Sequence, residues 1–293
     1  MNIVIFGGSG FIGSHVADIL SDQGHHVTIF DLTVSKYLKS NQHMLQGDIL
    51  DEKKVNASLK HCDFVYNFAG LSNIEVAHNS PIDTVKLNIL GNCNILDACI
   101  KNNVKKFVYA SSAYAGGNKG SFYKCSKQAA EMYVKEFHKK YGLQYVIVRY
   151  GSIYGMRANK DNWMYGVLNS AWEKSTIYHW GNGNEIREYV NVLDAAELSV
   201  EILDDKYLNK SILISGNIQY HIKDIFAIIQ EIIDKPIKIY YKNETSDIHY
   251  KVSSCRYNED NLYLDLIKLT SNKYRNINQG LLNCLIEIIR NKK

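Results

Sequence analysis

Apolar runs of strand length alternate with amphipathic runs of helical length through the first half of the chain: Asn2–Phe6, Phe11–Gln23, His26–Phe30, then Asp63–Phe68, Val85–Asn102, Lys106–Ala110, Tyr123–Tyr141 and Gln144–Arg149. This alternation predicts β-α-β units built on a parallel sheet. The strand runs are rich in Val, Ile, Phe and Tyr without strict polar alternation, as expected when helices cover both sheet faces. An α/β fold with a doubly wound, Rossmann-type sheet is therefore expected over residues 1–155. From about Met156 the pattern loosens into Gly181-Asn182-Gly183, scattered aromatics and shorter helical runs such as Ile222–Ile233 and Gln279–Arg290. Residues 156–293 are expected to form mainly a smaller α/β cap, with a stretch near 187–215 returning to the sheet. Ligands of open α/β sheets sit at the carboxyl ends of the strands, so a cap over that edge makes the second wall of a cleft.

Composition narrows the setting. With 293 residues, 22% of them charged and 46% hydrophobic, the chain can bury a full core and fold unaided. A net charge of +4 without a basic run excludes the electrostatic footprint of a nucleic-acid or membrane-surface binder. Six cysteines (Cys62, Cys93, Cys99, Cys125, Cys255, Cys284) form no C-x-x-C pair and no Cys/His cluster at zinc spacing, so reduced thiols and no metal are expected. The chain opens on an apolar strand without a basic leader, and no run of about 18 apolar residues occurs, which favours a cytoplasmic protein without membrane spans.

Chemistry enters at the first turn. Gly7, Gly10 and Gly13 follow the first strand and open the first helix, and Gly8, Gly10 and Gly13 also satisfy G-x-G-x-x-G. The early glycines permit a tight turn and close approach to a pyrophosphate, and the last permits close helix–strand packing. The helix start, with Phe11 and Ile12 on it, offers N–H groups and positive dipole to phosphates. Asp31 ends the second strand, where a carboxylate accepts hydrogen bonds from an adenosine ribose and repels a 2′-phosphate. These positions predict a dinucleotide site that prefers NAD to NADP.

Tyr123 and Lys127 lie four apart on one face of a helical segment. An ammonium beside a phenol favours the phenolate, the simplest way to make a group of pKa ~10 into a base near neutral pH. The pair follows a strand that runs into Ser111 and Ser112 at its carboxyl end, the edge that faces ligands. A serine there orients a substrate alcohol while Tyr123 takes its proton.

As a set, these residues resemble the extended short-chain dehydrogenase/reductase family, in particular its NAD-dependent sugar-nucleotide epimerase/dehydratase branch. In order come GGSGFIGSH (7–15), GDI (47–49), NFAG (67–70), Ser80-Pro81 and Asn88, SSA (111–113), YKCSK (123–127), RYGSIYG (149–155), REYVNVLDAAE (187–197) and QGL (279–281). The resemblance implies that Asp48 and Ile49 line the adenine, that Phe68, Ala69 and Gly70 pass beneath the cofactor with Asn88 nearby, and that Lys127 also holds the nicotinamide ribose. It makes Ser112, Tyr123 and Lys127 the catalytic set. It implies that Arg187 binds the diphosphate of a nucleotide-sugar substrate, whose anionic oxygens suit a guanidinium fork, and that Ser111, Ser112, Tyr150 and Ser152 face the sugar. Segments Val85–Asn102 and Tyr123–Tyr141 are those that relatives pair into a four-helix interface, so a homodimer is expected.

Departures from the family pattern shape the functional expectation. Only ten residues separate Ser112 from Tyr123, fewer than usual, which implies an open sugar pocket. Ala113 and Tyr114 stand where dehydratases carry an acidic pair, which argues against a 4,6-dehydratase. Ser152 replaces an asparagine that usually touches substrate, and Met156 replaces a proline. The expected activity is a nucleotide-sugar 4-epimerase working through a 4-keto intermediate. A 4-dehydrogenase or ketosugar reductase, or a non-catalytic NAD-binding sensor, are the alternatives. The sequence names neither the nucleotide nor the sugar.

Overall fold

The computed structural model describes residues 1–242, 249, 251 and 266–292. Its strands are β1 (Asn2–Phe6), β2 (His26–Asp31), β3 (Gln42–Gln46), β4 (Phe64–Asn67), β5 (Lys106–Ser112), β6 (Gln144–Tyr150), β7 (Ser152–Tyr154), β8 (Thr176–Trp180), β9 (Ile186–Asn191), β10 (Lys210–Ile214), β11 (Gln219–His221), β12 (Lys238–Lys242) and β13 (Leu266–Leu269). Eight of them form one sheet in the order β13-β10-β6-β5-β4-β1-β2-β3, parallel throughout. The order reverses between β1 and β4, and a crevice at such a switch point is where a dinucleotide binds in this architecture.

Both faces of the sheet are covered, which explains the unbroken apolar strands. Because neighbouring strand residues point to opposite faces, Ile3 and Ile5 pack with Val16 and Leu20 of the helix Phe11–Asp22 and with Ala195 and Ala196 of the helix Val192–Glu201. Val4 and Phe6 pack on the other face with Ile95, Leu96 and Val134, from the helices Gly91–Lys101 and Ser121–Tyr141. The cap has a core of its own, in which Tyr154, Leu168, Ile177 and Tyr189 meet Ile225 and Phe226 of the helix Ile222–Ile233 and Leu281 of the helix Ile277–Arg290. Two small sheets, β11-β9-β7 and β12-β8, frame that core.

Several elements differ from the sequence reading. Strand β13 joins the main sheet beside β10, so the return to the sheet extends well past residue 215. Strand β3, at the opposite edge, went unread because its sequence QHMLQ is mostly polar, as an edge strand tolerates. The run Val85–Asn102 is divided: Pro81–Val85 is helical, Lys86–Leu90 is a π-turn, and Gly91–Lys101 resumes the α-helix. Asn88 sits in that π-turn with its side chain spent on the loop after β4. Cys255 lies outside the described residues, and the other five cysteines are free thiols. Among the described residues no helix is long and apolar enough to cross a membrane.

Candidate active site

The glycine turn forms a cradle that side chains would fill. Gly7 has φ +75°, and a Cβ there would lie 2.6 Å from the Ala69 nitrogen; a Cβ on Gly13 would lie 2.4 Å from the Gly7 oxygen. The helix Phe11–Asp22 starts at Gly10 with no side-chain cap and no acid in its first turn, which leaves main-chain N–H groups for an anion. Asp31 stands beside this turn, its Oδ2 accepting from Ser9 N–H (3.0 Å) and its Oδ1 from Thr33 N–H (3.2 Å). The loop after β4 is braced from below: Asn67 Oδ1 accepts from Ala69 N–H (3.0 Å), and Asn88 accepts from Leu71 N–H (2.7 Å) while donating to the Leu71 carbonyl (3.0 Å) and Ser126 (2.9 Å). Phe68 stacks on Tyr66 with ring centroids 5.9 Å apart, and Ile49 is buried. The Asp48 carboxylate accepts from Leu50 N–H at 2.9 Å. Turn, acid and braced loop fit a dinucleotide; Asn88 holds the loop rather than presenting a free amide to it.

Across the crevice, Ser112 and Tyr123 meet at the carboxyl end of β5. Burial pushes the Tyr123 phenol up to about 12, and a hydrogen bond with Ser112 pulls it back only in part. Lys127 is buried too, and loss of water lowers its ammonium to about 8, opposed by the nearby charge of Glu131. Its Nζ donates to the Ala110 carbonyl at 2.8 Å and lies 5.8 Å from the Tyr123 ring centroid. In this arrangement the ammonium does not offset the burial of the phenol, contrary to the expectation from spacing alone.

Other side chains placed in the pocket by sequence point elsewhere. The Ser111 hydroxyl donates to Glu131 Oε1 at 2.5 Å, inside a buried pair between Glu131 and Arg149. Strand alternation sets it apart from Ser112, so it does not face substrate. Tyr150 lines the floor of the cleft, yet its hydroxyl pairs with Ser199 Oγ at 2.7 Å beneath the sheet. Ser152 and Arg187 do line the cleft, with Arg187 Nη1 donating to the Ile186 (2.9 Å) and Lys251 (3.3 Å) carbonyls.

The cleft between sheet edge and cap has a volume of about 940 Å³. Its cap side is an aromatic box that sequence reasoning missed. Trp163 and His179 line it, edge-on at 6.3 Å, with the buried Phe226 behind His179 at 5.4 Å, and His179 Nε2 meets Glu185 Oε2 at 3.0 Å. The Ser112 end carries Tyr114, Glu75 and His249, also unforeseen. No local spacing announces these residues, because they converge from stretches far apart in the chain. Glu131 was legible in principle, being four residues beyond Lys127 on the same helix.

The parallel switch-point sheet, the glycine cradle and the buried serine–tyrosine–lysine set define a dinucleotide-dependent enzyme class. The chain belongs to the NAD dependent epimerase/dehydratase family, whose model matches residues 3–214. It is an NAD-dependent enzyme of the extended short-chain dehydrogenase/reductase type. It is 29% identical to the UDP-N-acetyl-alpha-D-glucosaminuronate decarboxylase of Bacillus cytotoxicus, covering 80% of this chain and 81% of that one. It is 28% identical to a UDP-glucose 4-epimerase of Yersinia enterocolitica, covering 67% and 72%. The crystal structure of the Thermotoga maritima UDP-glucose 4-epimerase with UDP-glucose superposes with a TM-score of 0.85 at 25% identity, covering 100% of both chains.

Proposed function

We propose that this enzyme is a nucleotide-sugar 4-epimerase that works through a 4-keto sugar, with Tyr123 as general base. The observation that carries the reading is the contact of the buried Tyr123 with Ser112, which lines the 940 Å³ cleft. NAD, when bound, supplies a cationic nicotinamide that takes up and returns hydride. Ser112 holds the C4 hydroxyl by hydrogen bonding, and Tyr123 removes its proton and later returns it. Lys127 favours the phenolate, and Arg187 in the cleft holds the diphosphate, most simply that of a UDP-sugar, as in the relatives' names. A cleft of this size leaves a tethered ketosugar room to turn and take hydride on its other face. Ala113 and Tyr114 in place of an acidic pair speak against elimination of water.

Incubation with UDP-, GDP-, CDP- and dTDP-hexoses, followed by NMR of the products and absorbance of NADH, tests the reading. The C4 epimer without NADH build-up is expected. Accumulating NADH with a released ketosugar would replace the epimerase by a dehydrogenase, and no turnover of any nucleotide sugar would overturn both.

A cytoplasmic homodimer is part of the proposal. Ile82, Leu90, Met132 and Tyr133 are 65%, 50%, 68% and 47% exposed on the segments 81–101 and 121–141, a density of apolar side chains that favours burial against a second copy. Light scattering after size exclusion should give twice the chain mass for the wild type and the chain mass for Met132→Glu/Leu90→Glu. A wild-type monomer would remove the dimer.

A further inference from the structure

Ten residues separate Ser112 from Tyr123, and the structure shows what that short connection builds. A 3-10 turn, Ala113–Gly116, leads through Gly120 into the helix Ser121–Tyr141. Gln128 Nε2 anchors the turn by donating to the Ala115 carbonyl at 2.8 Å. One large side chain of the turn, Tyr114, enters the cleft beside Ser112.

Its placement is set from four sides. The Tyr114 N–H donates to Ser112 Oγ at 3.3 Å. Its ring meets that of Tyr123 edge-on, with centroids 6.4 Å apart and planes at 72°. Gly120, at φ +110°, leaves space for the ring, since a Cβ there would lie 2.7 Å from Tyr114 Cδ1. The phenol oxygen meets His249 Nδ1 at 2.9 Å, and His249 Nε2 faces Glu75 Oε1 at 3.4 Å. Tyr114, His249 and Glu75 come from three separate stretches and line the same cleft.

We infer that Tyr114 is a specificity-determining residue that contacts the substituents flanking C4 of the hexose, held by His249 and Glu75 in place of a longer Ser112–Tyr123 loop. The inference rests on the 4-epimerase reading: once the C4 hydroxyl lies at Ser112 and Tyr123, a ring packed on Tyr123, on a residue whose N–H is bonded to Ser112, faces the carbons next to C4. A fixed aromatic wall beside Ser112 discriminates among hexoses through shape.

The test compares wild type, Tyr114→Ala, Tyr114→Phe and His249→Gln with UDP-glucose, UDP-N-acetylglucosamine and UDP-glucuronate. Tyr114→Ala is expected to lower kcat/KM for the best of the three by about 10- to 100-fold and to compress its advantage over the others by a similar factor. Tyr114→Phe and His249→Gln should lie in between, and inhibition by free UDP should stay constant in the two Tyr114 variants. An equal fall for every sugar, or a parallel weakening of UDP, would assign Tyr114 a merely structural role and overturn the inference. Calorimetric affinities of each nucleotide sugar relative to UDP give the same comparison without turnover. A wild type that turns over no sugar therefore counts against the epimerase reading, whereas unchanged relative affinities in Tyr114→Ala count against this inference alone.

Discussion

Tyr123→Phe is expected to lower kcat by about 100- to 10,000-fold, the range that a positioned general base contributes, while NAD binding measured by calorimetry stays unchanged. The ring keeps its packing against Tyr114 and only the oxygen is lost. The structure adds a pH signature to this loss. Burial holds the phenol near 12 and the Lys127 ammonium near 8, so the free enzyme at neutral pH carries a protonated base beside a cation. Because the base must lose its proton, kcat/KM is expected to rise with pH on the acid side of its profile. Because a cation favours the phenolate and Lys127 carries its charge only below about pH 8, Lys127→Ala is expected to lower kcat/KM most on the acid side of the profile. Rate profiles from pH 6 to 10 for wild type and Lys127→Ala check both signs. A Lys127→Ala profile that keeps the wild-type limb would show that the ammonium does not tune the base, and full activity in Tyr123→Phe would remove the base altogether.

The contrast between Tyr123/Lys127 and the rest of the pocket shows where sequence reading works. The glycine cradle was legible because each constraint is local and lies in the main chain: Gly7 needs a positive φ, and Gly13 lies against the Gly7 carbonyl. The Tyr123/Lys127 pair was legible because four residues span one helical turn. Their pKa balance was not, since desolvation depends on how Tyr109, Ala110 and the rest of the buried set close around them. Ser111 and Ser112 look equivalent in sequence, and only the pleat of β5 sends one toward Glu131 and leaves the other for the cleft. Tyr150 gave the right strand end, but its hydroxyl found Ser199 on a helix 49 residues away. The wall of Tyr114, His249 and Glu75 and the box of Trp163, His179 and Phe226 have no spacing to read, because tertiary packing alone brings them together.

Glu131→Gln should be the most damaging single change to stability. Glu131 and Arg149 are only 6% and 3% exposed, and the carboxylate takes Arg149 Nε at 2.9 Å, Arg149 Nη2 at 2.6 Å and the Ser111 hydroxyl at 2.5 Å. Removing one charge leaves the other buried and uncompensated, at a cost of about 3–5 kcal/mol. In a chain of this length that corresponds to a fall in Tm on the order of 10 °C. The double change Glu131→Met/Arg149→Met, which leaves no orphaned charge, should lose less than Glu131→Gln alone. Thermal melts decide the point: a Glu131→Gln variant melting within a degree of wild type would show that Arg149 finds another partner. The same substitution reaches the chemistry. Glu131 lies one helical turn beyond Lys127, and its negative charge favours the ammonium against burial. Without it Lys127 loses its proton at a lower pH than in the wild type, so between pH 7 and 8 the folded variant's kcat/KM should rise less steeply with pH than that of the wild type. That would bind the stability of the sheet edge and the tuning of the base to one carboxylate.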